Sequence, residues 1–192
     1  MSARRHELAR QAARLFAEKG FHGTSMEDVA SAVGVQKPSL YEYVSSKQDL
    51  LHETMREGAD AFHAGLDAID ERLPATERLK LALRSHLRVV GEQLDVATVF
   101  VREWRYLEGE RGREFVRERR RYEDRIRALF RDGVEQSELR TDLDVATATL
   151  LFLSAANWAY TWLEPGRQTD ALADRFFDVL LDGMRGYATP RT

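Results

Sequence analysis

The chain has 192 residues, which suits one domain or a small module joined to a larger one. Hydrophobic residues make up 43% and charged residues 32%, which excludes a disordered tail, and no apolar run is long enough to span a membrane. The charged N-terminus has no secretory signal, and the lack of cysteine excludes disulfides and thiolate chemistry. A net charge of -3 excludes a wholly cationic nucleic-acid coat but allows a local DNA-binding face. We therefore expect a cytoplasmic protein.

Helical periodicity runs along the whole chain, and no useful stretch alternates as a strand would. The four prolines fit helix boundaries better than helix interiors. The predicted fold class is all-α, in which two short, closely linked helices precede longer ones that form a bundle. About nine helices are predicted, at about residues 4–19, 26–33, 38–43, 47–72, 74–90, 96–107, 113–136, 142–163 and 169–187, with a turn at 108–112.

Helix-end signals are clearest near the N-terminus. Gly20 is a stop for the first helix. Ser25 precedes the second helix, and Asp28 follows at the spacing of a capping box. Ser46 and Asp49 repeat that spacing at the start of the fourth helix.

Residues 20–51 have the physical features of a helix-turn-helix. Gly34 allows a sharp turn after the second helix, because glycine tolerates positive φ, and Val35 is the apolar plug of that turn. The third helix is short, and Leu40 faces inward. Its first residues are small or polar, as a recognition helix requires if that end is to meet phosphates and base edges.

The candidate DNA-contacting residues surround this unit. The first helical turn offers polar groups near the bases, two tyrosines can each place a hydroxyl on a phosphate, and three further residues flank the unit. Tyr41 and Tyr43 can alternatively be ordinary core residues of an amphipathic helix. The nine candidates are Thr24, Ser25, Gln36, Lys37, Pro38, Ser39, Tyr41, Tyr43 and Lys47.

This segment resembles the DNA-binding domain of TetR-family transcriptional regulators over about residues 4–52. The matching residues are Gly20-Phe21, Thr24-Ser25, Asp28-Val29-Ala30, Ala32-Val33-Gly34-Val35, Lys37, Leu40-Tyr41, Tyr43, Ser46-Lys47 and Leu50-Leu51. Gln36 and Pro38 depart from the residues that are common in the family, so the operator sequence stays open. The resemblance implies a DNA-binding domain at 1–48 and a ligand-binding and dimerisation domain at 49–192. It also implies a homodimer whose two recognition helices enter successive major grooves of double-stranded operator DNA.

The resemblance places the dimer interface on the last two helices. Apolar residues there can form two strips that pair across a two-fold axis, although some of them must be intramolecular core. The strips comprise Leu150, Leu151, Leu153, Ala155, Ala156, Phe176, Phe177, Val179, Leu180, Leu181 and Met184.

Two aromatic clusters suggest a small-molecule pocket, and they contain all three tryptophans of the chain. Trp158 and Trp162 are four residues apart and are predicted to share a helix face. Asn157, on the same apolar helix, needs a partner for its amide. Each tryptophan can alternatively be core. The candidate ligand-binding residues are Phe100, Trp104, Tyr122, Asn157, Trp158 and Trp162.

The stretches 99–107 and 157–165 also resemble the acyl-CoA-responsive branch of TetR regulators. Residues 111–131 contain nine arginines and four acidic residues, so some of the arginines could hold CoA phosphates. The alternative is a solvated helix face with local ion pairs, such as Glu114 with Arg117 and Glu118 with Arg121.

The resemblance favours a repressor that a small apolar effector, plausibly an acyl-CoA thioester, releases from DNA. An enzyme is not expected, because the five histidines are scattered and no metal, nucleophile-elbow or phosphate-loop motif occurs. No cofactor and no membrane partner are expected. The competing function is a helical small-molecule or lipid carrier without DNA binding, which would leave residues 20–51 unexplained.

Overall fold

The computed structural model describes residues 3–164 and 168–185, and every regular element in these ranges is helical. The predicted all-α class is therefore confirmed. Short 3₁₀ turns, Trp104–Tyr106 and Trp158–Thr161, follow the sixth and eighth helices. The predicted end of the ninth helix at residue 187 lies outside the described residues. The helices are α1 (Ala3–Gly23), α2 (Met26–Ala32), α3 (Lys37–Leu40), α4 (Lys47–Asp67), α5 (Ala75–Glu92), α6 (Leu94–Arg102), α7 (Gly109–Glu135), α8 (Val145–Asn157) and α9 (Asp170–Met184).

The helix ends near the N-terminus lie where the capping and glycine signals of the sequence predict them. Gly20 interrupts α1 with φ 76° and ψ 163°, at the predicted stop. Ser25 Oγ accepts a hydrogen bond from the Asp28 N–H at 3.1 Å, and the Asp28 carboxylate accepts one from the Ser25 N–H at 2.8 Å. The predicted capping box is therefore present. Gly34 has φ 70°, as the turn between α2 and α3 requires.

Four later boundaries differ from the prediction. α4 ends at Asp67 rather than near residue 72, and α6 and α8 end earlier because 3₁₀ turns replace their last residues. The predicted turn at 108–112 is wrong, because α7 already begins at Gly109. Gly112 lies within the helix, where a Cβ would come within 2.6 Å of the Leu107 carbonyl oxygen. This glycine therefore allows close packing rather than a turn.

The chain divides into two compact units. Unit 1 comprises Met1–Ala61 with Gln93–Arg119, and unit 2 comprises Phe62–Glu92 with Arg120–Thr192. The helices α4 and α7 contribute residues to both units. The predicted boundary after residue 48 separates a DNA-binding part from a ligand-binding and dimerisation part rather than two compact units, and it stays a prediction.

Unit 1 is built around an apolar cluster from the first four helices together with α6 and the start of α7. Its fully buried members include Phe16 from α1, Val29 from α2 and Leu40 from α3. The helices α4 and α6 approach closely at Gly58, where a Cβ would lie 3.0 Å from the Phe100 ring. The short α3 is therefore held by its inward residue while its opposite side faces solvent.

Unit 2 is built on α5, which packs against α8 and α9. The buried stripe of α5 includes Leu79, Leu83, His86 and Leu87. Arg84 forms a bidentate ion pair with Asp174 of α9, at 2.5 and 2.6 Å. The largest fully buried side chains of unit 2 are Phe130, Phe152 and Phe177.

The predicted dimer strips are partly core and partly surface. Ala156, Phe177, Leu181 and Met184 are buried within unit 2. Four apolar side chains of the same region are instead exposed, namely Leu150 at 67%, Leu151 at 54%, Trp158 at 62% and Val179 at 75%. Over the described residues, none of the helices combines the length and apolar character needed to cross a membrane.

Candidate DNA interface and effector site

The start of α3 is exposed on the side opposite the unit 1 core. Leu40 is fully buried, whereas Gln36, Lys37 and Pro38 are exposed and Ser39 is half-buried. Gln36 is the N-cap residue but makes no capping bond with its side chain, so its amide is available for a base edge. The Lys37 ammonium lies 3.9 Å from Glu27, a distance that leaves it able to reach a phosphate.

The two candidate tyrosines follow directly after α3. Tyr41 is 48% exposed and Tyr43 is 39% exposed. The core alternative for Tyr43 therefore fails in this structure, since the ring is not packed inside. Both hydroxyls remain candidates for phosphate contacts.

Thr24 cannot contact DNA as predicted. Its side chain is 1% exposed, and its hydroxyl lies 3.1 Å from the Leu15 carbonyl oxygen and 3.0 Å from that of Gly20. These carbonyls belong to the end of α1, where the helix is interrupted. Thr24 therefore stabilises the connection between α1 and α2 rather than offering a hydroxyl to a phosphate.

Lys47 also has a structural role that the sequence did not reveal. Its ammonium donates to the carbonyl oxygens of Phe21 at 2.7 Å and Thr24 at 2.8 Å, and it lies 4.3 Å from the centre of the Phe21 ring. Burial lowers the pKa of this ammonium. The predicted phosphate contact of Lys47 stays a prediction, and the two carbonyl oxygens at the end of α1 give its ammonium a structural role as well. Ser25 stays exposed, but its hydroxyl serves the capping box.

Residues distant in sequence hold the helix-turn-helix within unit 1. The buried Glu103 carboxylate accepts a hydrogen bond from the Phe21 N–H at 2.8 Å. The Tyr106 ring stacks on Phe21 with ring centres 5.8 Å apart, and the Gln48 amide donates to the Tyr106 carbonyl oxygen at 2.7 Å. Residues just after α6 therefore fix the interruption in α1 and the first turn of α4.

Asp49 at the start of α4 is paired with an arginine of α7. Burial opposes ionisation of this carboxylate, but hydrogen bonds from the Ser45 N–H and from Arg111 outweigh burial and lower its pKa. Arg111 is one of the nine arginines that were considered for phosphate binding, and the structure gives it a structural partner instead. The start of α4 is thereby connected to α7 within unit 1.

Two of the ligand candidates, Phe100 and Trp104, lie in unit 1. The Phe100 ring meets Phe115 edge-on with ring centres 4.8 Å apart, and Trp104 is 6.1 Å from the same ring. The Arg119 guanidinium lies 4.8 Å from the Trp104 ring centre. Both aromatics are half-buried, so each retains surface that a ligand could contact.

Tyr122 and Asn157 lie in unit 2 beside a histidine that the sequence did not single out. His86 is 3% exposed, and its Nδ1 lies 3.1 Å from the Tyr122 hydroxyl. The Phe62 ring covers the imidazole at 4.6 Å. Burial lowers the pKa of His86 to about 4, and the neighbouring Asn157 amide offsets part of this effect. Burial likewise raises the pKa of Tyr122. His86 could have been suspected, because it falls on the buried stripe of α5.

Trp158 and Trp162 are placed differently from the prediction. They do not share an α-helical face, because α8 ends at Asn157 and a 3₁₀ turn follows. Trp158 is exposed, and Trp162 is 37% exposed with its ring 5.6 Å from that of Phe176 on α9. Both lie in the region of the exposed dimer strips, and their ligand-binding role stays a prediction.

A groove of about 680 Å³ lies within unit 2, and this volume is typical of small-molecule sites. Leu66, Ile69, Ala128 and Leu129 provide apolar lining. Arg125 lines the same groove, ion-pairs with Asp67 at 2.7 Å and lies 3.3 Å from His63 Nδ1. The His63 ring meets Tyr122 with ring centres 5.6 Å apart, so the groove and the His86 cluster share neighbours.

Several α7 arginines form local ion pairs. Arg113 and Arg117 both contact Glu110, at 2.7 and 2.8 Å, and Arg127 contacts Glu123 at 2.5 Å and Asp124 at 2.6 Å. The predicted partner of Arg117, Glu114, contacts His52 at 3.2 Å instead. These arginines match the alternative of a solvated, ion-paired face, although Arg117 pairs with Glu110 rather than with Glu114.

Comparison with known proteins agrees with this geometry. Residues 8–54 match the family described as bacterial regulatory proteins of the tetR family, and residues 72–184 match a tetracyclin repressor-like C-terminal domain. The HTH-type transcriptional repressor KstR2 of Rhodococcus jostii is 27% identical over 194 residues, covering 95% of this chain and 92% of that protein.

Solved structures extend the similarity to nearly the whole chain. The TetR family regulator PfmR of Thermus thermophilus has a TM-score of 0.85 and 30% identity, covering 93% of this chain and 99% of that one. AibR, whose structure contains isovaleryl coenzyme A and operator DNA, has a TM-score of 0.82 and 28% identity, covering 93% of this chain and 98% of that one. The matched regions include both the helix-turn-helix and the helices that carry the effector candidates, and the chain belongs to the TetR family of transcriptional regulators.

Proposed function

We propose that this protein is a transcriptional repressor, a homodimer that binds a pseudo-palindromic operator and leaves it when an acyl-CoA thioester binds. It acts in the cytoplasm as a regulator rather than as an enzyme, in keeping with a family of transcriptional regulators. The DNA-binding domain is residues 1–48, and the remainder binds the effector and forms the dimer.

One observation carries the DNA-binding part of the proposal. The α2–Gly34–α3 unit buries Leu40 while it leaves Gln36, Lys37, Pro38 and Tyr41 exposed on the other side. An exposed polar helix start of this kind suits the major groove, where side chains meet base edges and phosphates. A carrier protein would have no use for this surface.

The dimer part rests on the exposed apolar side chains of α8 and α9. Leu150 and Val179 are 67% and 75% exposed, which a monomer would leave in water. A symmetric contact buries the same patch on both partners, and it sets the distance between the two recognition helices.

The effector class rests on chemistry and on relatives. Unit 2 offers a groove with both apolar and polar lining, and it also contains the half-buried Tyr122 and Asn157. AibR, a structural relative, is known in complex with isovaleryl coenzyme A, and KstR2 is a repressor. An apolar acyl chain with a polar thioester suits a site that has both kinds of lining.

Effector binding and DNA binding are linked through two states of the dimer. The ligand-free state holds the recognition helices at the operator spacing, and the effector favours another spacing. The effector acts only through its different affinity for the two states. α4 is the candidate link, because its residues belong to both units.

The first experiment measures thermal unfolding of the purified dimer against acyl-CoA thioesters, with free CoA and free fatty acids as controls. A ligand that binds only the folded state raises the transition temperature. The thioester that gives a shift is then added to the protein on operator DNA selected from a random pool. Release of the DNA supports the proposal, whereas stabilisation by free acids alone contradicts the thioester.

The salt dependence of DNA binding separates the repressor from the carrier. A repressor that contacts phosphates loses operator affinity steeply as salt rises. A helical carrier would select no DNA sequence from the pool at any salt concentration.

A further inference from the structure

A polar cluster around one buried histidine lies where four helices of unit 2 meet. It is made by Phe62 and His63 at the end of α4, His86 of α5, Tyr122 of α7 and Asn157 of α8. Apart from Tyr122 and Asn157, none of these residues has an assigned role in the proposed function. His86 lies at the centre, and its imidazole is almost entirely removed from solvent.

The protonation of His86 follows from its partners. Burial keeps the imidazole neutral at pH 7, so one ring nitrogen carries a hydrogen and the other does not. The Tyr122 phenol keeps its proton, and His86 Nδ1 at 3.1 Å is the acceptor within reach. Tyr122 therefore donates to Nδ1, and Nε2 carries the hydrogen.

This arrangement leaves a donor without an acceptor. Among the residues that the structure describes, Nε2 has no hydrogen-bond partner. The Asn157 side chain interacts with the ring as a hydrogen-bond partner that raises its pKa, but this contact does not reach the distance and angle of a full hydrogen bond at Nε2, so an effector oxygen can replace it. A buried N–H without an acceptor is costly, so a partner from outside the chain would be stabilised there.

We propose that His86 Nε2–H donates a hydrogen bond to a carbonyl oxygen of the effector and thereby selects carbonyl-bearing apolar ligands over their hydrocarbon analogues. This inference rests on the proposed function, because it names the polar group that the effector site recognises. The acceptor must belong to a largely apolar molecule, since Phe62 and Tyr122 provide aromatic surface beside the donor. Tyr122 is a positioning residue, since its hydroxyl determines which nitrogen of His86 donates.

A site of this kind rejects a ligand that lacks the matching oxygen. Such a ligand would leave the Nε2–H unsatisfied, whereas a carbonyl ligand satisfies it. The expected preference for the carbonyl ligand is roughly tenfold or more. The competing occupant is a buried water that only fills the space beside Nε2.

The test uses pairs of ligands that differ in one carbonyl. Binding of decanoyl-CoA is compared with that of S-decyl-CoA, which lacks only the thioester carbonyl, and binding of 2-decalone is compared with that of decalin. The purified full-length dimer should prefer the carbonyl member of at least one pair by roughly tenfold. His86→Leu should bind the two members equally, while His6→Leu, which removes an exposed histidine of unit 1, should keep the preference.

The outcomes separate this inference from the proposed function. A preference only in the decalone pair supports His86 and rules against the acyl-CoA effector. A preference that His86→Leu retains, or no preference in either pair, overturns the role of His86 and leaves a buried water as its partner.

A second measurement begins with the wild-type protein alone, so its first result depends neither on a ligand nor on the folding of a variant. Nitrogen-15 NMR of the wild-type imidazoles should find His86 neutral at pH 7, with its hydrogen on Nε2. Tyr122→Phe should release the ring hydrogen to distribute between both nitrogens and should weaken the carbonyl preference. A wild-type ring with the hydrogen on Nδ1, or a doubly protonated ring, would refute the proposal whatever the effector is.

Discussion

Acid should destabilise this protein through His86 before most carboxylates are protonated. The pKa of the imidazole is about 4 in the folded chain, against 6.5 in an unfolded one. Between these values the unfolded chain binds a proton that the folded chain does not, so the free energy of unfolding falls as the pH falls. The contribution is present above pH 6.5 and is lost towards pH 4, which amounts to roughly 3 kcal/mol per chain.

The groups around His86 support this sign. Tyr122 stays neutral over the whole range, because burial raises its pKa. The Asn157 side chain raises the pKa of the ring but offsets only part of the effect of burial. Protonation of His86 therefore has to overcome the burial of the imidazole.

Urea unfolding at pH 7.5 and pH 5 measures the effect at one fixed protein concentration, because unfolding of a dimer depends on concentration. Over this range the wild type should lose about 2 kcal/mol more stability than His86→Leu. His6→Leu is the matched control, since it removes a histidine side chain that is 56% exposed, and it should follow the wild type. Parallel losses in the wild type and His86→Leu would refute the reasoning.

Three further predictions concern the DNA head and the dimer. Tyr41→Ala should weaken operator binding on the order of tenfold in a gel-shift titration, because the proposed phosphate contact of the exposed hydroxyl is lost. The circular dichroism spectrum should stay unchanged, and unchanged affinity would contradict this placement. Lys47→Met should lower the free energy of unfolding in urea by about 1–3 kcal/mol, since it leaves the carbonyls of Phe21 and Thr24 without their donor. A variant as stable as the wild type would contradict this structural role and favour a phosphate contact instead. Val179→Asp should produce monomers in analytical ultracentrifugation, because it places a charge in the apolar dimer surface; persistence of the dimer would locate the interface elsewhere.

The elements that the sequence predicted correctly depend on residues close together in the chain. The capping box joins Ser25 and Asp28, three positions apart, and Gly20 and Gly34 lie where the backbone needs positive φ. These features follow from backbone geometry and from one or two side chains, so they can be read without knowledge of packing.

The errors arise where packing overrides a local signal. The glycines at 109 and 112 are typical of a turn in the sequence, yet both lie in the first turns of α7. Gly112 is needed there because its backbone approaches the Leu107 carbonyl oxygen closely. Thr24 and Lys47 have the polarity of DNA-contacting residues. Their polar groups satisfy carbonyls at the end of α1, and this use depends on how α1, α2 and α4 pack.

The sequence by itself determined the helical class, the helix-turn-helix and the family, because periodicity, caps and turns act within a few residues. Only the tertiary structure decided which polar groups are buried and with whom. It brought Glu103 to the Phe21 N–H, and it placed His86 beside Tyr122 and Asn157 although the three are far apart in the chain. Contacts between distant segments depend on the packing of whole helices, which no local pattern encodes.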